Sequence, residues 1–404
     1  MNIDQQVSYL MRGTAYGDAA MHEAMKQELR DRLVESEKTG KPLRVYCGYD
    51  PRTSDLHIGH TVTMRKLRQF QELGHHVIFV IGTYTALIGD PSDKDKLRQQ
   101  LSTQEAQQHA ESYAEQAYRI LDRDKTEVRY NAEWLSKLTL KDMINLASNF
   151  TIQQFLTREN FRKRWDNEEA VYFHELFYSI MQGYDAYVLD ADVQIGGTDQ
   201  MFNIMTAARK IMTYYDKKPN IGIILGILPG TDGEVKMSKS LGNHIPLNTT
   251  PEDMFGKVMS IPDKAMASYA RLVTRWTVDK IEGFEKAVEK GEIHPKDAKM
   301  ALAEEITAAF FDADKAQLAK EYFINLFQKG ETPEDIPEFK PKDEAVLLDI
   351  LVESGLVQSK SQARRLIQQN GVKIEGEPVS DPYQVLEPPV IVQVGKRRFV
   401  KIVE

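Results

Sequence analysis

Short β-branched and apolar runs alternate with amphipathic stretches along the first third of the chain. Leu43-Arg44-Val45-Tyr46-Cys47 is followed by a polar, helix-periodic stretch through Arg65 and Phe70, and then by Val77-Ile78-Phe79-Val80-Ile81. That alternation predicts βαβ units around a parallel sheet. Ser102 and Glu105 stand at capping-box spacing and predict a long helix to about Leu121, with Glu127-Val128-Arg129-Tyr130 as the next strand. From about residue 138 to 187 the pattern turns helical, and strands return at Asp192-Val193-Gln194-Ile195 and Ile221-Gly222-Ile223-Ile224-Leu225. A helical insertion within a sheet domain accounts for that order.

Thr250-Pro251-Glu252-Asp253 places a capping hydroxyl, a first-turn proline and early acidic residues in helix-start order, and helical patterns then run to Lys329-Gly330. Residues 331–342 are rich in proline and charge without periodicity, which predicts a linker. A small third domain should follow, helical around Leu347–Leu356 and Ser359–Ile367 and strand-like at Val390–Val394 and Phe399–Val403.

Composition narrows the class. The 404 residues, 42% hydrophobic and 28% charged, are those of a globular protein with several cores. The net charge of −8 excludes a generally basic nucleic-acid coat, so any RNA contact must come from local patches. Cys47 is the only cysteine, which excludes an internal disulfide framework and a multi-cysteine zinc site. The N-terminal stretch has neither the basic start nor the apolar core of a signal peptide, and no run is long enough to span a membrane, so a cytoplasmic protein is expected.

Candidate chemistry gathers at four places. His57-Ile58-Gly59-His60 follows the first strand and should put two imidazoles on one face of a helix N-terminus, where backbone N–H groups favour an anion. Gly59 would let a flat base approach the backbone. Lys236-Met237-Ser238-Lys239-Ser240 sits in a polar loop after a buried strand, able to bring two ammoniums to a triphosphate. Tyr178, Gln182 and Asp185 share a helix face, which is unusual for an apolar side. Cations interleaved with aromatics at Arg158, Phe161, Arg162, Lys163, Arg164 and Trp165, then Arg209 and Lys210, suit phosphates and a stacked base. A solvated basic helix face would show the same pattern.

The histidine and lysine peptides together resemble the two signature motifs of class I aminoacyl-tRNA synthetases. With Tyr46–Pro51, Ile88–Ser92, the Tyr178 helix face and Gln194–Gln200, the chain resembles the bacterial-type tyrosyl-tRNA synthetases over nearly its whole length. That resemblance implies an α/β fold: a Rossmann-like catalytic domain over 1–249 with a helical insertion at about 138–187 and a mobile lysine loop at 230–245. An all-α anticodon-side domain over 250–330, the linker, and an RNA-binding domain over 343–404 like that of the ribosomal protein called S-four would complete it.

The family's chemistry implies activation of L-tyrosine by ATP and transfer to tRNA(Tyr), with ATP and Mg2+ entering as a substrate complex, no tightly bound cofactor, and a homodimeric enzyme. His57, His60, Lys236 and Lys239 would act on the phosphates. Gly48, Asp50, Cys47, Gly59, Thr63, Gly197, Asp199, Lys94 and Arg98 would line the ATP site. Tyr46, Asp90, Tyr178, Gln182, Asp185, Gln194 and Gln200 would hold tyrosine. The interleaved cations, with Lys360, Arg364 and Arg365 of the last domain, would hold tRNA. Arg52 stands where many of the family have a small hydroxyl residue that would meet a phosphate, and Asp93 where many have glycine, so both depart from the family pattern. A non-catalytic RNA-binding relative and an RNA-free adenylating enzyme are the competing classes, the first opposed by intact motifs and the second by the extra domains.

Overall fold

The computed structural model describes residues 1–51, 56–91, 109, 112–326, 336–341, 346–395 and 398–403. It divides into two compact units, Met1–Glu321 and Tyr322–Glu404. The helices expected as a separate all-α domain therefore belong, up to Glu321, to the same unit as the sheet.

Five parallel strands form the first sheet: β1 (Arg44–Tyr49), β2 (His76–Ile81), β3 (Thr126–Tyr130), β4 (Val193–Gly197) and β5 (Ile221–Leu225), in the order β3-β2-β1-β4-β5. Val77 to Ile81 are buried throughout, as expected of a strand covered on both faces. The helix Thr61–Glu72 presents Met64, Leu67 and Phe70 to this core, each fully buried. Because the chain runs outward from β1 to β3 and then restarts at β4 on the other side of β1, the crevice beyond the C-terminal ends of β1 and β4 is a topological switch point. Such a crevice is where an open α/β sheet takes its ligand.

The insertion is helical, at Leu140–Ala147, Ile152–Phe155, Glu159–Asp166 and Phe173–Val188. After β4 the chain winds as a π-helix over Phe202–Ala208 before the α-helix Arg209–Tyr214. The helix Pro251–Met259 begins as its sequence dictates, with the Thr250 hydroxyl accepting from the Asp253 amide and proline in the first turn. Ser102 and Glu105 lie outside the described residues.

The second unit has its own mixed sheet, β6 (Glu338–Phe339), β7 (Val372–Ile374), β8 (Glu377–Pro378), β9 (Val390–Val394) and β10 (Arg398–Ile402), in the order β6-β10-β9-β7-β8. Leu347, Leu351, Ala363, Ile367, Val392 and Ile402 are among its buried core. Part of the expected linker is strand: Glu338–Phe339 pairs in parallel with β10, because the Lys401 and Val403 amides need acceptors and find them at the Pro337 and Phe339 carbonyls.

Candidate active site

The histidine motif does not lie on a helix. The helix begins at Thr61, and His57 to His60 form the turn before it. Leu56–Ile58 instead pair antiparallel with Ile245–Leu247, with Ile58 donating to the Ile245 carbonyl at 2.9 Å and Leu247 to Leu56 at 2.9 Å. This short ribbon ties the histidine turn to the end of the lysine loop, so the two motifs are one structural piece.

The imidazoles of His57 and His60 lie against each other, tilted by 40°, with centroids 3.9 Å apart. His57 Nδ1 accepts from the Gly59 amide at 3.2 Å, and His60 Nδ1 accepts from the His57 amide at 3.2 Å. Each ring, when neutral, must then carry its proton on Nε2. Burial, with His60, His244 and Lys236 nearby, pushes His57 down to about 2, so it is a neutral donor at any physiological pH. Gly59 makes room for this ring pair: a Cβ there would lie 2.9 Å from His57 Nδ1, so the space expected for a base is filled by the histidine ring. Open space lies instead at Gly48, the one exposed position of β1, where a Cβ would meet nothing within 4 Å among the described residues.

Lys236 reaches across to Asp199, beyond β4, at 2.8 Å. The loop is shaped by Asn243, whose side chain accepts from the Ser238 amide at 2.8 Å and donates to Asp232, and by the buried Met237. Lys239 is exposed on it. On the neighbouring wall the Thr63 hydroxyl bonds to Tyr49 at 2.7 Å and to the His60 carbonyl at 3.1 Å. Cys47 is buried beside them, its thiol pushed up to about 11 by burial, which makes it a packing residue rather than a reactive one.

Tyr178, Gln182 and Asp185 do share the inner face of Phe173–Val188. Asp185 is buried and accepts from Trp134 Nε1 at 2.7 Å and Asn131 Nδ2 at 3.3 Å. Burial still raises it to about 8, against the lowering effect of those two donors. Tyr46 is buried against the same helix, its hydroxyl donating to the Gln182 carbonyl at 3.4 Å, and its own pKa is raised by burial and by Asp185. Gln182 Oε1 is buried without a hydrogen-bond partner among the described residues, an acceptor waiting for a donor. Tyr178 donates to Asp50 Oδ2 at 3.1 Å, and Thr85 to Asp50 Oδ1 at 2.7 Å. Gln194 lies in β4 in register with Tyr46 and accepts from Asn220 at 3.3 Å.

A closed ring of polar groups surrounds Asp90. Gln200 Nε2 donates to its Oδ2, Asn203 to Gln200 at 2.9 Å, Ser179 to Asn203 at 2.7 Å, and Arg158 to Ser179 at 2.8 Å. Arg158 then stands 3.9 Å from Asp90 Oδ1. This corrects the expectation that Arg158 meets tRNA: its side chain is 4% exposed and stacked over Phe161. Arg164 is likewise buried, forked onto Glu175, and Arg209 is committed to Glu28 and the Asn220 carbonyl. Cations alternating with aromatics read as a surface stripe, but Arg158, Arg164 and Arg209 each turn to a carboxylate on another segment of the chain. Arg162 and Lys163 are exposed, and Lys210 lies over Phe150 with a bond to Gln154. In the second unit Lys360, Arg364 and Arg365 are exposed on the helix Lys360–Gln368, Lys360 paired with Asp349 and Arg364 with the Tyr383 hydroxyl. Lys94, Arg98, Arg52 and Asp93 lie outside the described residues.

Sequence reasoning missed Trp134, Asn131, Thr85, Ser179 and Asn203. The first two follow β3 directly, at the C-terminal edge of the sheet where ligands bind, and that position was the available signal.

Residues 37–328 match the model of the tRNA synthetases class I (W and Y). The chain belongs to that family. Residues 328–401 match a tyrosine–tRNA ligase SYY-like C-terminal domain. The chain is 45% identical to the tyrosine–tRNA ligase of Carboxydothermus hydrogenoformans, over 94% of each protein. It is 46% identical to that of Haemophilus influenzae over 92% of each. Its fold resembles tyrosyl-tRNA synthetase from Archaeoglobus fulgidus, solved with L-tyrosine, at 22% identity and a TM-score of 0.61, covering 79% of this chain and 100% of that one. The tryptophanyl-tRNA synthetase of Plasmodium falciparum is similar too, at 15% identity and a TM-score of 0.54, covering 72% of this chain and 81% of that one, so fold alone does not choose the amino acid.

Proposed function

We propose that the chain is a tyrosine–tRNA ligase that forms tyrosyl-adenylate from L-tyrosine and ATP and transfers the tyrosyl group to the terminal ribose of tRNA(Tyr). The observation that carries this is that Tyr46 and Asp185 are both buried at the Phe173–Val188 helix, near enough for the Asp185 carboxylate to act on the Tyr46 hydroxyl. An aromatic substrate whose tip carries a hydroxyl satisfies that pair. One lacking it buries an apolar tip against these polar groups without that hydrogen bond, and rejection built this way is strong, tyrosyl-tRNA synthetases being themselves the known example of the effect.

In this reading the substrate's ammonium donates to Gln182 Oε1, Tyr178 and Asp90, which places its carboxylate toward Gln200 and the crevice mouth. A carboxylate oxygen attacks the α-phosphorus of ATP, the bond to the β-phosphate oxygen breaks, and pyrophosphate leaves. No protein nucleophile is needed; positioning and charge stabilisation suffice. The Nε2–H groups of His57 and His60 donate to phosphate oxygens as their charge grows, and Lys236 and Lys239 neutralise the departing pyrophosphate. Mg2+, arriving with ATP, supplies further neutralisation of the phosphates. Asp199 and Thr63 meet the ribose and Gly48 leaves room for a flat base. In the second step the terminal ribose hydroxyl of tRNA attacks the tyrosyl carbonyl and AMP departs.

Exposed Arg162 and Lys163, and Lys360, Arg364 and Arg365 of the second unit, support tRNA binding through phosphates. The exposed Leu140, Ile144, Ile152, Trp165 and Phe173 of the insertion support a homodimer, since a monomer seldom leaves such a group in water. No described helix is long and apolar enough to cross a membrane, and we place the enzyme in the cytoplasm.

ATP–pyrophosphate exchange measured with each amino acid tests the proposal. Tyrosine-dependent exchange is expected; exchange driven by tryptophan instead, or none with tyrosine, overturns it.

A further inference from the structure

Away from the crevice, a cavity of about 490 Å³ opens in the first unit between the N-terminal helix, the helix Thr61–Glu72, the chain before β3 and the helices beyond residue 270. Five arginines, Arg12, Arg65, Arg68, Arg119 and Arg275, line it against one carboxylate, Glu72. Two of the five have acidic partners: Arg68 donates to Glu72 at 3.2 Å and Arg275 to Glu305 at 3.1 Å. Glu72 is further occupied by the Tyr9 hydroxyl at 2.9 Å. Arg12 donates to the carbonyls of Trp276 and Thr274 and Arg119 to that of Leu247, so neither has an acidic partner among the described residues.

Arg65 is the decisive residue. Its Nε and Nη2 are buried and have no hydrogen-bond partner among the described residues, and its guanidinium lies 4.9 Å over the Phe310 ring. Burial, with Arg275 and Arg12 nearby, lowers it to about 10. Glu305 and Glu72 act on it only at a distance, and a buried guanidinium with unmet donors is costly and is found where an acceptor belongs. In a chain of net charge −8, this concentration of cations around one open cavity is local.

We propose that this cavity binds a small molecule carrying two or more phosphate groups, its oxygens accepting from Arg65, Arg12 and Arg119. The volume falls within the range of small-ligand sites, and a guanidinium fork suits phosphate oxygens. The site differs in place and residues from the crevice that takes ATP.

Equilibrium dialysis with labelled inorganic pyrophosphate tests it in the full-length protein. Lys236→Ala/Lys239→Ala removes the crevice's pyrophosphate partners, and this variant is expected to retain about one bound equivalent. Adding Arg65→Met should abolish it. Arg65→Met alone should raise the unfolding temperature without ligand, since the methyl-thioether replaces a buried cation; on the Lys236→Ala/Lys239→Ala background it should abolish the further rise that pyrophosphate gives. If Arg65→Met does not fold, Arg119→Met on the same background is expected to weaken binding at least tenfold. No binding by the Lys236→Ala/Lys239→Ala protein, or binding unchanged by loss of Arg65 or Arg119, overturns the proposal.

Discussion

Trp134 holds Asp185: its indole nitrogen donates to Oδ1 at 2.7 Å, inside a wall where the carboxylate is buried. Trp134→Phe keeps the aromatic character and deletes the donor. A buried acceptor that loses one of its partners costs about 1–3 kcal/mol. The variant should therefore be less stable by that amount and bind tyrosine more weakly. Urea titration with and without tyrosine measures both, and an unchanged midpoint would remove Trp134 from the pocket's support.

The same carboxylate sets a pH dependence. Its pKa in the folded protein, about 8, lies above its ordinary value of 3.8, so between those values the folded state binds more protons than the unfolded chain. Stability contributed by the neutral form is complete below pH 3.8 and is lost as pH rises toward 8, with a slope of at most about 1.4 kcal/mol per pH unit from this group. Asp185→Asn carries no charge and should flatten the slope between about pH 5 and 8, while narrowing the preference for tyrosine over phenylalanine in pyrophosphate exchange. Parallel slopes for the two proteins, or an unchanged preference, contradict the assignment.

Arg158 gives the sharpest test of where the sequence misleads. Through Ser179 and its approach to Asp90 it orients the pocket without reaching the surface. Arg158→Met should raise the KM for tyrosine roughly tenfold or more, about 1.4 kcal/mol, with a smaller change in kcat and none in the KM for tRNA. Arg158→Lys should recover part of the loss. A selective rise in the KM for tRNA would instead restore the surface role.

The contrast among these residues explains what was legible. Strands β2 and β5 were evident because a sheet covered on both faces demands continuous apolar runs, as in Val77–Ile81, whereas β3 is half-buried at the sheet edge. Tyr178, Gln182 and Asp185 stood out because polar residues at helical spacing have few other reasons to share an inner face. Arg158 and Arg164 did not, since whether a cation in an amphipathic helix turns inward depends on partners such as Glu175 and Ser179 that only the tertiary fold brings near. For the same reason the ribbon between Leu56–Ile58 and Ile245–Leu247, whose strands are far apart in sequence, left no local signal.

That ribbon gives Lys236 and Lys239 a fixed base beside the histidine turn, and their roles should separate by substrate. Lys236→Ala removes a cation that rests on Asp199 before the phosphates arrive. It should slow adenylate formation by on the order of 10²-fold, the usual loss when one charge-stabilising donor is deleted, and leave tyrosine affinity within about twofold. Lys239→Ala, exposed on the loop, should act in the same direction. Single-turnover adenylation and equilibrium tyrosine binding distinguish the steps, and a large loss of tyrosine affinity in either variant would place the lysine at the amino acid rather than at the pyrophosphate.

The second unit has its own sheet and core, so its removal should leave the first chemical step intact. Truncation after Lys342 takes away Lys360, Arg364 and Arg365, all exposed on one short helix. Removing a cation from a phosphate weakens RNA binding and lowers its salt dependence. Tyrosine-dependent pyrophosphate exchange should stay within about twofold, whereas kcat/KM for charging tRNA should fall by roughly tenfold or more, with a shallower dependence of log affinity on log salt. Charging as efficient as that of the full chain would show that these cations face solvent and nothing else.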